Sequence, residues 1–425
     1  MSTVQLTKAL VLFFVFSLAW GNLFGQMDVQ RCGADNFFLE GIEYNPQLAD
    51  KPSGNQEKLR SFLMDNPHSI QRSILTIPVV VHVVYHTEEQ NISDLQIYDQ
   101  LEILNRSFNQ KNLNLHSVPS HFRHLISDVN IEFCLAQKDP QGNKTNGINR
   151  IQTEVPEIGS TRFEGNKVAV FFSDQGGRDL WNPKNYLNLW ICDIGGNLAG
   201  SSTFPNMAPY PEAEGILLDY RYVGSIGKAV ESAPYDKGKT LVHEVGHYFN
   251  LFHPWGLGPG SCQNDDEVED TPLQEKPYFR CQNEITQSCG SEDLIVNFMD
   301  YPEDKCLAMF THGQKERMIG SIMLFREELI SSDACNPMVG PEEQDISGLQ
   351  IQYLNGAGQI AIFSQGGKRY ELTAEIYDLL GKKLHTEKPV FYRSHLINSS
   401  RLSVGMYIVC LEDEKTRVCK KILVY

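Results

Sequence analysis

One short segment of the chain could hold a metal ion and use it to break a bond. Residues 243–253 contain His243, Glu244, His247 and His253. Residues four apart share one face of a helix, so His243 and His247 can direct two imidazoles at the same ion. The carboxylate of Glu244 lies beside them, where it can act on a water molecule without being a ligand itself.

The third histidine requires the chain to change direction. His253 follows His247 too distantly to ligate from the same straight helix face, so the helix must end and the chain must turn back. Such a turn favours glycine, because a left-handed backbone is costly for other residues. Asn250 stands there, and asparagine is the non-glycine residue that best tolerates this conformation.

A pair of histidines four apart also arises by chance, but a third at this spacing favours a metal site. Three neutral imidazole nitrogens and a water molecule match a tetrahedral catalytic zinc site with one open position. Three imidazoles buried together without an ion would be costly. The segment therefore predicts metal-assisted hydrolysis, with Glu244 as general base and then acid.

The elements that must position this site are both strands and helices. Residues 74–86 are rich in Val and Ile and predict a buried strand. Ser93, with Gln96 three residues later, offers a capping box, and apolar residues follow at helical spacing from Ile97 to Phe108. Further strands are expected at Val129–Leu135, Val168–Phe172, Tyr186–Cys192 and Ile216–Tyr220. This order predicts an α+β fold with a mixed twisted sheet and long helices, followed by a small all-β sandwich.

Composition divides the chain into four parts. Residues 1–25 carry a positive start and a short apolar run, which predicts a signal peptide. Residues 26–71 are polar with little periodic pattern and are expected to be a propeptide, with regular structure beginning only after them. The catalytic domain is expected at residues 72–340 and the β-sandwich at residues 345–425, after a Pro- and Gly-containing boundary.

The charge of the chain narrows its partners. The formal net charge of -16 argues against a nucleic-acid partner, because phosphate backbones are bound by clustered Lys and Arg. After the signal peptide no segment is long and apolar enough to cross a membrane, which takes about 20 residues. Ten cysteines in an exported chain suggest disulfides. Together these features predict a secreted, extracellular or cell-surface protein.

The zinc segment and its surroundings resemble the pappalysin family of metzincin zinc metallopeptidases, particularly the ulilysin-like and cytophagalysin-like members. Residues 297–301 (NFMDY) resemble the family's Met-turn, and residues 131–136 and 187–192 resemble family strands. The resemblance implies an endopeptidase acting on proteins or peptides. It also implies that Met299 lies beneath the metal and that Tyr301 stabilises the transition-state oxyanion.

The same resemblance implies a latent precursor and a specificity. Cys32, in an Arg-Cys-Gly sequence, resembles the cysteine switch of ulilysin-like propeptides, in which a thiolate occupies the open position of zinc. Asp304 matches an acidic position that selects Arg or Lys just after the scissile bond. A cut between Gln71 and Arg72 would then suit self-processing. The alternatives are a disulfide partner for Cys32 and a solvated surface role for Asp304.

The remaining cysteines and an acidic loop carry further expectations. The resemblance implies the disulfides Cys262–Cys289 and Cys281–Cys306, although four cysteines allow three pairings. Cys134, Cys192 and Cys335 are interpreted as buried free thiols. Cys410 and Cys419 would face each other across a terminal hairpin and could be bridged. Asp266 and Thr271 resemble the calcium-binding loop of relatives, so a structural Ca²⁺ is expected beside the catalytic Zn²⁺.

The C-terminal β segments resemble a sorting domain of the bacterial type IX secretion system. Residues 375–383, residues 405–409 and the basic, apolar ending at residues 420–425 carry this resemblance. It implies that the secretion machinery is a partner, whereas a generic β-sandwich that binds protein or carbohydrate is the alternative. For the whole chain, the alternative to a peptidase is a zinc-stabilised adhesin or binding protein without turnover. The intact Glu244 and Tyr301 favour the peptidase.

Overall fold

The structure is a computed structural model, and it describes residues 29–66, 74–162, 164–282, 284–336, 346–354, 358–364, 369–391 and 394–424. The predicted signal peptide and the predicted Gln71–Arg72 cleavage point lie outside the described residues. The helices of the described residues are α1 (Ala34–Tyr44), α2 (Lys51–Asp65), α3 (Asp94–Phe108), α4 (Lys239–Tyr248), α5 (His312–Phe325) and α6 (Glu327–Ile330).

The described residues between 74 and 336 are built on a six-stranded sheet. Its strands are β1 (Leu75–Tyr85), β2 (Ile131–Leu135), β3 (Ile148–Gln152), β4 (Leu187–Cys192), β5 (Gly200–Ser202) and β6 (Ile216–Asp219). Their order is β2-β1-β4-β6-β5, and β3 pairs with the second half of β1. All pairings are parallel except that of β5 with β6, so β5 is an antiparallel edge strand. The prediction of a mixed sheet is confirmed.

Helices α3 and α4 share the hydrophobic core with one face of this sheet. The Oγ of Ser93 accepts a hydrogen bond from the backbone N–H of Gln96 at 3.2 Å, which forms half of the predicted capping box. The other half is wrong, because the Gln96 side chain donates instead to the carbonyl of Val223 at 2.9 Å. Leu104 and Phe108 are buried at 1% and 0% exposure. Burying each such side chain contributes about 1.5–3 kcal/mol to folding stability. This burial holds α3 and the neighbouring α4 against the sheet.

Two expectations about secondary structure are wrong. Residues 168–172 do not form a strand, because Ala169–Phe171 is a 3-10 helix whose Phe171 ring packs edge-on against Trp190 at 4.8 Å. A short apolar run buried by tertiary packing cannot be assigned from its pattern alone. Residues 26–71, expected to lack regular structure, contain α1 and α2. Helix α1 buries Ala34 and Phe38 against the rest of the protein, and the more polar α2 buries Leu59.

The C-terminal region is all β, as predicted. A small hairpin of β7 (Gln287–Ser288) and β8 (Ser291–Glu292) lies outside this region, between α4 and α5. One sheet has the order β15-β10-β9 and another the order β13-β12-β16-β17, while β11 pairs with β14. The larger sheets share one apolar core, which makes a sandwich. The strands are β9 (Gln350–Leu354), β10 (Gln359–Phe363), β11 (Tyr370–Glu371), β12 (Thr373–Tyr377), β13 (Lys383–Glu387), β14 (Val390–Phe391), β15 (Ser394–Asn398), β16 (Gly405–Glu412) and β17 (Arg417–Val424).

Candidate active site

Three histidines converge at the end of α4. His243 and His247 lie on one face of this helix, and their Nε2 atoms are 3.0 Å apart. The helix ends before Asn250, whose φ of +77° is left-handed, as the sequence predicts. The chain turns back there, and the Nε2 of His253 comes within 3.1 Å of the Nε2 of His247. All three side chains are buried.

The outer nitrogens of the imidazoles are held by oxygen atoms. His243 Nδ1–H donates to the carbonyl of Phe298 at 2.8 Å, and His247 Nδ1–H donates to the carbonyl of Leu251 at 2.7 Å. The Nδ1 of His253 lies 3.1 Å from Asp35 Oδ2. Because a carbonyl can only accept, the Nε2 lone pairs point into the shared space. Burial lowers the pKa of His243 well below its usual value and the pKa of His247 to about 3, so both are neutral.

This donor set fits a zinc ion. The Sγ of Cys32 joins the three imidazoles, and the four ligand atoms lie within 4.8 Å of one another. Among the described residues it is the one group of three or more His, Cys, Asp or Glu side chains with this geometry. Nitrogen and sulfur donors in a closed, buried set match the coordination preference of zinc.

Glu244 lies next to the cluster and is fully buried. Neither of its carboxylate oxygens has a hydrogen-bond partner among the described residues. Burial raises the pKa of Glu244 to about 8, which makes its carboxylate a stronger base than an exposed glutamate. A buried carboxyl group with a raised pKa beside a cluster of histidines is typical of a functional group rather than a structural one.

The segment around Met299 forms the floor of the cluster. The buried Met299 side chain lies against Gly246 of α4, where a Cβ would clash with its sulfur. Its backbone N–H donates to Asn297 Oδ1 at 2.9 Å, and Asn297 exchanges amide hydrogen bonds with Gln314 of α5. The hydroxyl of Tyr301 lies 2.8 Å from His253 Nε2. The Asn297–Gln314 pair, which no sequence pattern reveals, therefore fixes this turn to α5.

Asp304 is buried and anchored at the start of the zinc helix. Its Oδ2 accepts hydrogen bonds from the N–H groups of Lys237 and Lys239 at 2.8 and 3.2 Å. Its Oδ1 pairs with the guanidinium of Arg31 at 2.5 Å, and both side chains have 0% exposure. The alternative of a solvated surface Asp is therefore wrong. The sequence analysis did not predict that Arg31 and Asp35 belong to the site. Their closeness to Cys32 in the sequence could have indicated it.

Residues 30–33 reach the cluster by running alongside residues 197–200, which lead into the edge strand β5. Gln30 N–H donates to the carbonyl of Asn197, and Gly33 N–H donates to the carbonyl of Gly200 at 2.8 Å. Cys32 has 6% exposure and no disulfide partner. The alternative of a disulfide for Cys32 is therefore wrong.

Four disulfides tie the described residues. Cys262–Cys289 and Cys281–Cys306 are present with the expected connectivity, and Cys410–Cys419 closes the last hairpin. The expectation of free thiols at Cys134 and Cys335 is wrong, because these two residues form a disulfide. They are 201 residues apart, so only the fold brings them together. Cys192 is a buried free thiol, as expected.

The acidic loop after the zinc segment presents buried oxygens. Asp266 is 2% exposed and Thr271 is 7% exposed. Asp266 Oδ2 and Thr271 Oγ1 have no hydrogen-bond partner among the described residues. Burial raises the pKa of Asp266 well above its usual value. The Asp266 and Thr271 side chains are therefore buried rather than solvated.

Two parts of the chain match known families. The sequence model of the family described as Pregnancy-associated plasma protein-A matches residues 172–323. The sequence model of the family described as Secretion system C-terminal sorting domain matches residues 356–425. An extracellular metalloprotease of Arthroderma otae is 30% identical over 256 residues, which are 59% of this chain and 79% of that protein. One from Colletotrichum graminicola is 26% identical over 303 residues, or 69% and 90% of the two chains.

The chain belongs to the pappalysin family. Among solved structures, a Tannerella forsythia promirolysin mutant matches with a TM-score of 0.64 and 35% identity, covering 73% of this chain and 99% of that one. Mature mirolysin of that organism, in complex with a cleaved peptide, matches with a TM-score of 0.55 and 39% identity, covering 61% and 99%.

As a pappalysin-family member the chain is a secreted zinc metalloendopeptidase with a C-terminal sorting domain. Its destination is extracellular or at the cell surface. Family membership favours the peptidase over the alternative of an adhesin without turnover. Among the described residues, no helix combines the length and apolar character that a membrane span needs.

Proposed function

We propose that the chain is the latent precursor of an endopeptidase that cleaves proteins before Arg or Lys. One observation carries the proposal: two neighbouring propeptide residues lie at two different parts of the site. Cys32 joins the histidine cluster, and Arg31 forms a buried ion pair with Asp304. The thiol would block the position where chemistry occurs, and the guanidinium would block the pocket that selects the substrate.

In the active enzyme, His243, His247 and His253 would hold the zinc ion. Bound zinc supplies a Lewis acid that activates water and polarises the peptide carbonyl. Glu244 takes the proton of the attacking water and passes it to the leaving amine. The Tyr301 hydroxyl donates a hydrogen bond to the carbonyl oxygen as negative charge develops there.

The preference for Arg or Lys follows from the charge balance at Asp304. Two backbone N–H groups at the start of α4 hold one carboxylate oxygen, and the other faces the guanidinium of Arg31. A buried carboxylate with one unpaired oxygen has a large unfavourable desolvation free energy unless a cation fills the pocket. A substrate residue with a guanidinium or an ammonium group satisfies it, and an apolar residue does not.

Latency would end when residues 26–71 leave. A cut between Gln71 and Arg72 places an Arg just after the scissile bond, so the enzyme's own preference suits self-processing. Removal of the propeptide withdraws Cys32 from the cluster and Arg31 from the pocket at the same time. The similarity of the chain to a promirolysin structure over 99% of that structure supports a precursor of this kind.

Calcium and the secretion machinery complete the proposal. Asp266 and Thr271, whose side chains are buried, would supply oxygen ligands for a structural Ca²⁺. The sorting domain would direct the chain through the type IX secretion system and would take no part in catalysis. Its matched residues, 356–425, include the cross-strand disulfide.

The test is proteolysis by the purified precursor beside a matched Glu244→Ala precursor, both incubated with zinc and calcium and followed by mass spectrometry. We expect only the wild type to trim itself near Gln71–Arg72 and to cut test proteins before Arg or Lys. Zinc content, measured by atomic spectroscopy, should be equal in both, because Glu244 is not a ligand. Equal trimming by both precursors, or cutting without a preference for Arg or Lys, would contradict the corresponding part of the proposal.

A further inference from the structure

Helix α2 of the propeptide carries a contact face far from the zinc cluster. Gln56, Leu59, Arg60 and Leu63 are spaced i, i+3, i+4 and i+7, so they lie along one side of the helix. The sequence shows no strong apolar period here, because only two of the four are apolar. All four contact the catalytic domain beside α5.

The apolar half of the face packs into a recess at Gly320 of α5. A Cβ built at Gly320 would approach Leu63 Cδ2 to 2.7 Å and Leu59 Cδ1 to 3.0 Å. Glycine inside a helix costs about 0.5–1 kcal/mol relative to alanine. In return, the missing side chain at Gly320 lets Leu59 and Leu63 pack closely against α5, and Leu59 is only 1% exposed.

The polar half of the face meets one cation and one anion of the catalytic domain. Gln56 Oε1 accepts a hydrogen bond from Arg317 Nη1 at 2.6 Å, and Gln56 Nε2 donates to Glu267 Oε2 at 3.0 Å. The Arg60 guanidinium lies 3.3 Å from the same Glu267 oxygen. Arg317 itself is positioned by its Nε–H, which donates to the carbonyl of Asn250 at 2.6 Å.

These partners form a groove that continues towards the zinc site. We define the α2 groove by Phe252, Glu267, Arg317 and Gly320. The Arg317 guanidinium lies 4.8 Å from the centre of the Phe252 ring, and Phe252 belongs to the apolar cluster that also contains Cys32. The propeptide therefore runs from the catalytic cluster to the α2 groove over one continuous surface.

We propose that the α2 groove is an exosite of the mature enzyme that binds amphipathic helical segments of protein substrates. The inference rests on the proposed function, since the groove opens only when residues 26–71 leave. The seated α2 defines the chemistry of the occupant: an amide and a cation one turn apart, facing Arg317 and Glu267, with leucine-sized side chains over Gly320. A substrate bound there would present another of its segments to the zinc cluster, as the propeptide does.

The test compares two fluorogenic substrates that share one cleavable sequence with Arg after the scissile bond. The long substrate also carries residues 46–66 of this chain on a flexible Gly/Ser linker. A matched control carries the same segment with Leu59→Ser and Leu63→Ser. For the mature wild-type enzyme we expect the long substrate to have a KM about tenfold lower than the short one, with equal kcat, which corresponds to about 1.4 kcal/mol of binding. The control should match the short substrate.

The enzyme variant Gly320→Leu fills the recess without touching the zinc cluster. It should cleave the short substrate normally, lose the KM difference, and degrade apomyoglobin, an all-helical protein, more slowly than the wild type. A second variant, Glu267→Lys, should bind the labelled α2 peptide more weakly by fluorescence anisotropy and should regain affinity for the Arg60→Glu peptide. This charge exchange keeps the test valid if Gly320→Leu misfolds.

Three results would overturn the exosite. They are equal KM values for the long and short substrates, no anisotropy change with the α2 peptide, and unchanged apomyoglobin degradation by Gly320→Leu despite lost peptide binding. The last result would assign the groove to the propeptide alone. Absence of hydrolysis of the short substrate would instead count against the proposed function, and the anisotropy measurement would still decide whether the groove binds a helix.

Discussion

Replacing Asp304 by Asn should remove the preference for Arg or Lys and leave the catalytic cluster intact. The substitution keeps the shape of the side chain and an oxygen that can accept the N–H groups of Lys237 and Lys239. It removes the charge that pairs with Arg31 at 2.5 Å in the precursor. A substrate guanidinium would then be buried without a counter-charge.

The size of the effect follows from the complete burial of this ion pair. Both partners have 0% exposure, so solvent does not screen the loss. Removing one partner of a buried pair costs about 3–5 kcal/mol, which at 1.36 kcal/mol per tenfold is roughly a 150- to 5,000-fold loss in kcat/KM. The loss applies to substrates with Arg after the scissile bond, whereas a Leu substrate should change only a few-fold.

The assay measures kcat/KM of the mature enzyme on two peptides that differ only by Arg or Leu after the scissile bond. Glu303→Gln is the matched control, because it removes one negative charge at the neighbouring position, where the side chain is partly exposed and pairs with Lys305. The ratio of the Arg to the Leu rate should fall about 100-fold or more in Asp304→Asn and should stay near the wild-type value in Glu303→Gln. An unchanged ratio in Asp304→Asn would refute the assignment of this pocket.

Three further perturbations test latency and stability. The Cys32→Ala precursor should hydrolyse a peptide before any propeptide is lost, and a variant as silent as the wild-type precursor would count against the switch. Replacing Cys134 and Cys335 by Ser opens a loop of 201 residues, so urea unfolding should show a loss of about 5 kcal/mol, against no change if the bridge is dispensable. Burial raises the pKa of Asp99 to about 6, so stability present below about pH 4 is lost as the pH rises through 6. The wild type should lose about 3 kcal/mol of unfolding free energy between pH 4 and pH 7, and an Asp99→Asn variant should lack this loss. Parallel stability–pH profiles of the two proteins would exclude this role of Asp99.

The parts of the site that sequence could predict are those fixed by local spacing. The positions of His243 and His247 follow from the helical repeat, and the turn at Asn250 follows from the distance to His253. The cap at Ser93 is likewise a local hydrogen bond. These features depend on neighbouring residues of one segment, so a single sequence contains the information.

The parts that could not be predicted depend on residues far apart in the chain. Cys134 and Cys335 are 201 residues apart, and Arg31 and Asp304 are 273 residues apart. Helix α2 has little apolar pattern of its own and is stabilised by docking at Gly320. Isolated helices of this length are marginal in water, so the docking surface rather than helix propensity decides its structure.

In the proposed precursor, the pairing of residues 30–33 with residues 197–200 would make the thiol block and the guanidinium block act together. Successive side chains of an extended segment point to opposite sides, so Arg31 can enter the Asp304 pocket while Cys32 turns towards the histidines. The hydrogen bonds of Gln30 and Gly33 to residues 197–200 fix the register of both side chains. A shift by one residue would exchange their sides and lose both contacts at once. If the proposed latency holds, the ion pair of Arg31 strengthens the thiol block by fixing the position of Cys32. The thiol block in turn would keep the Arg31 guanidinium in the pocket for which a substrate residue competes.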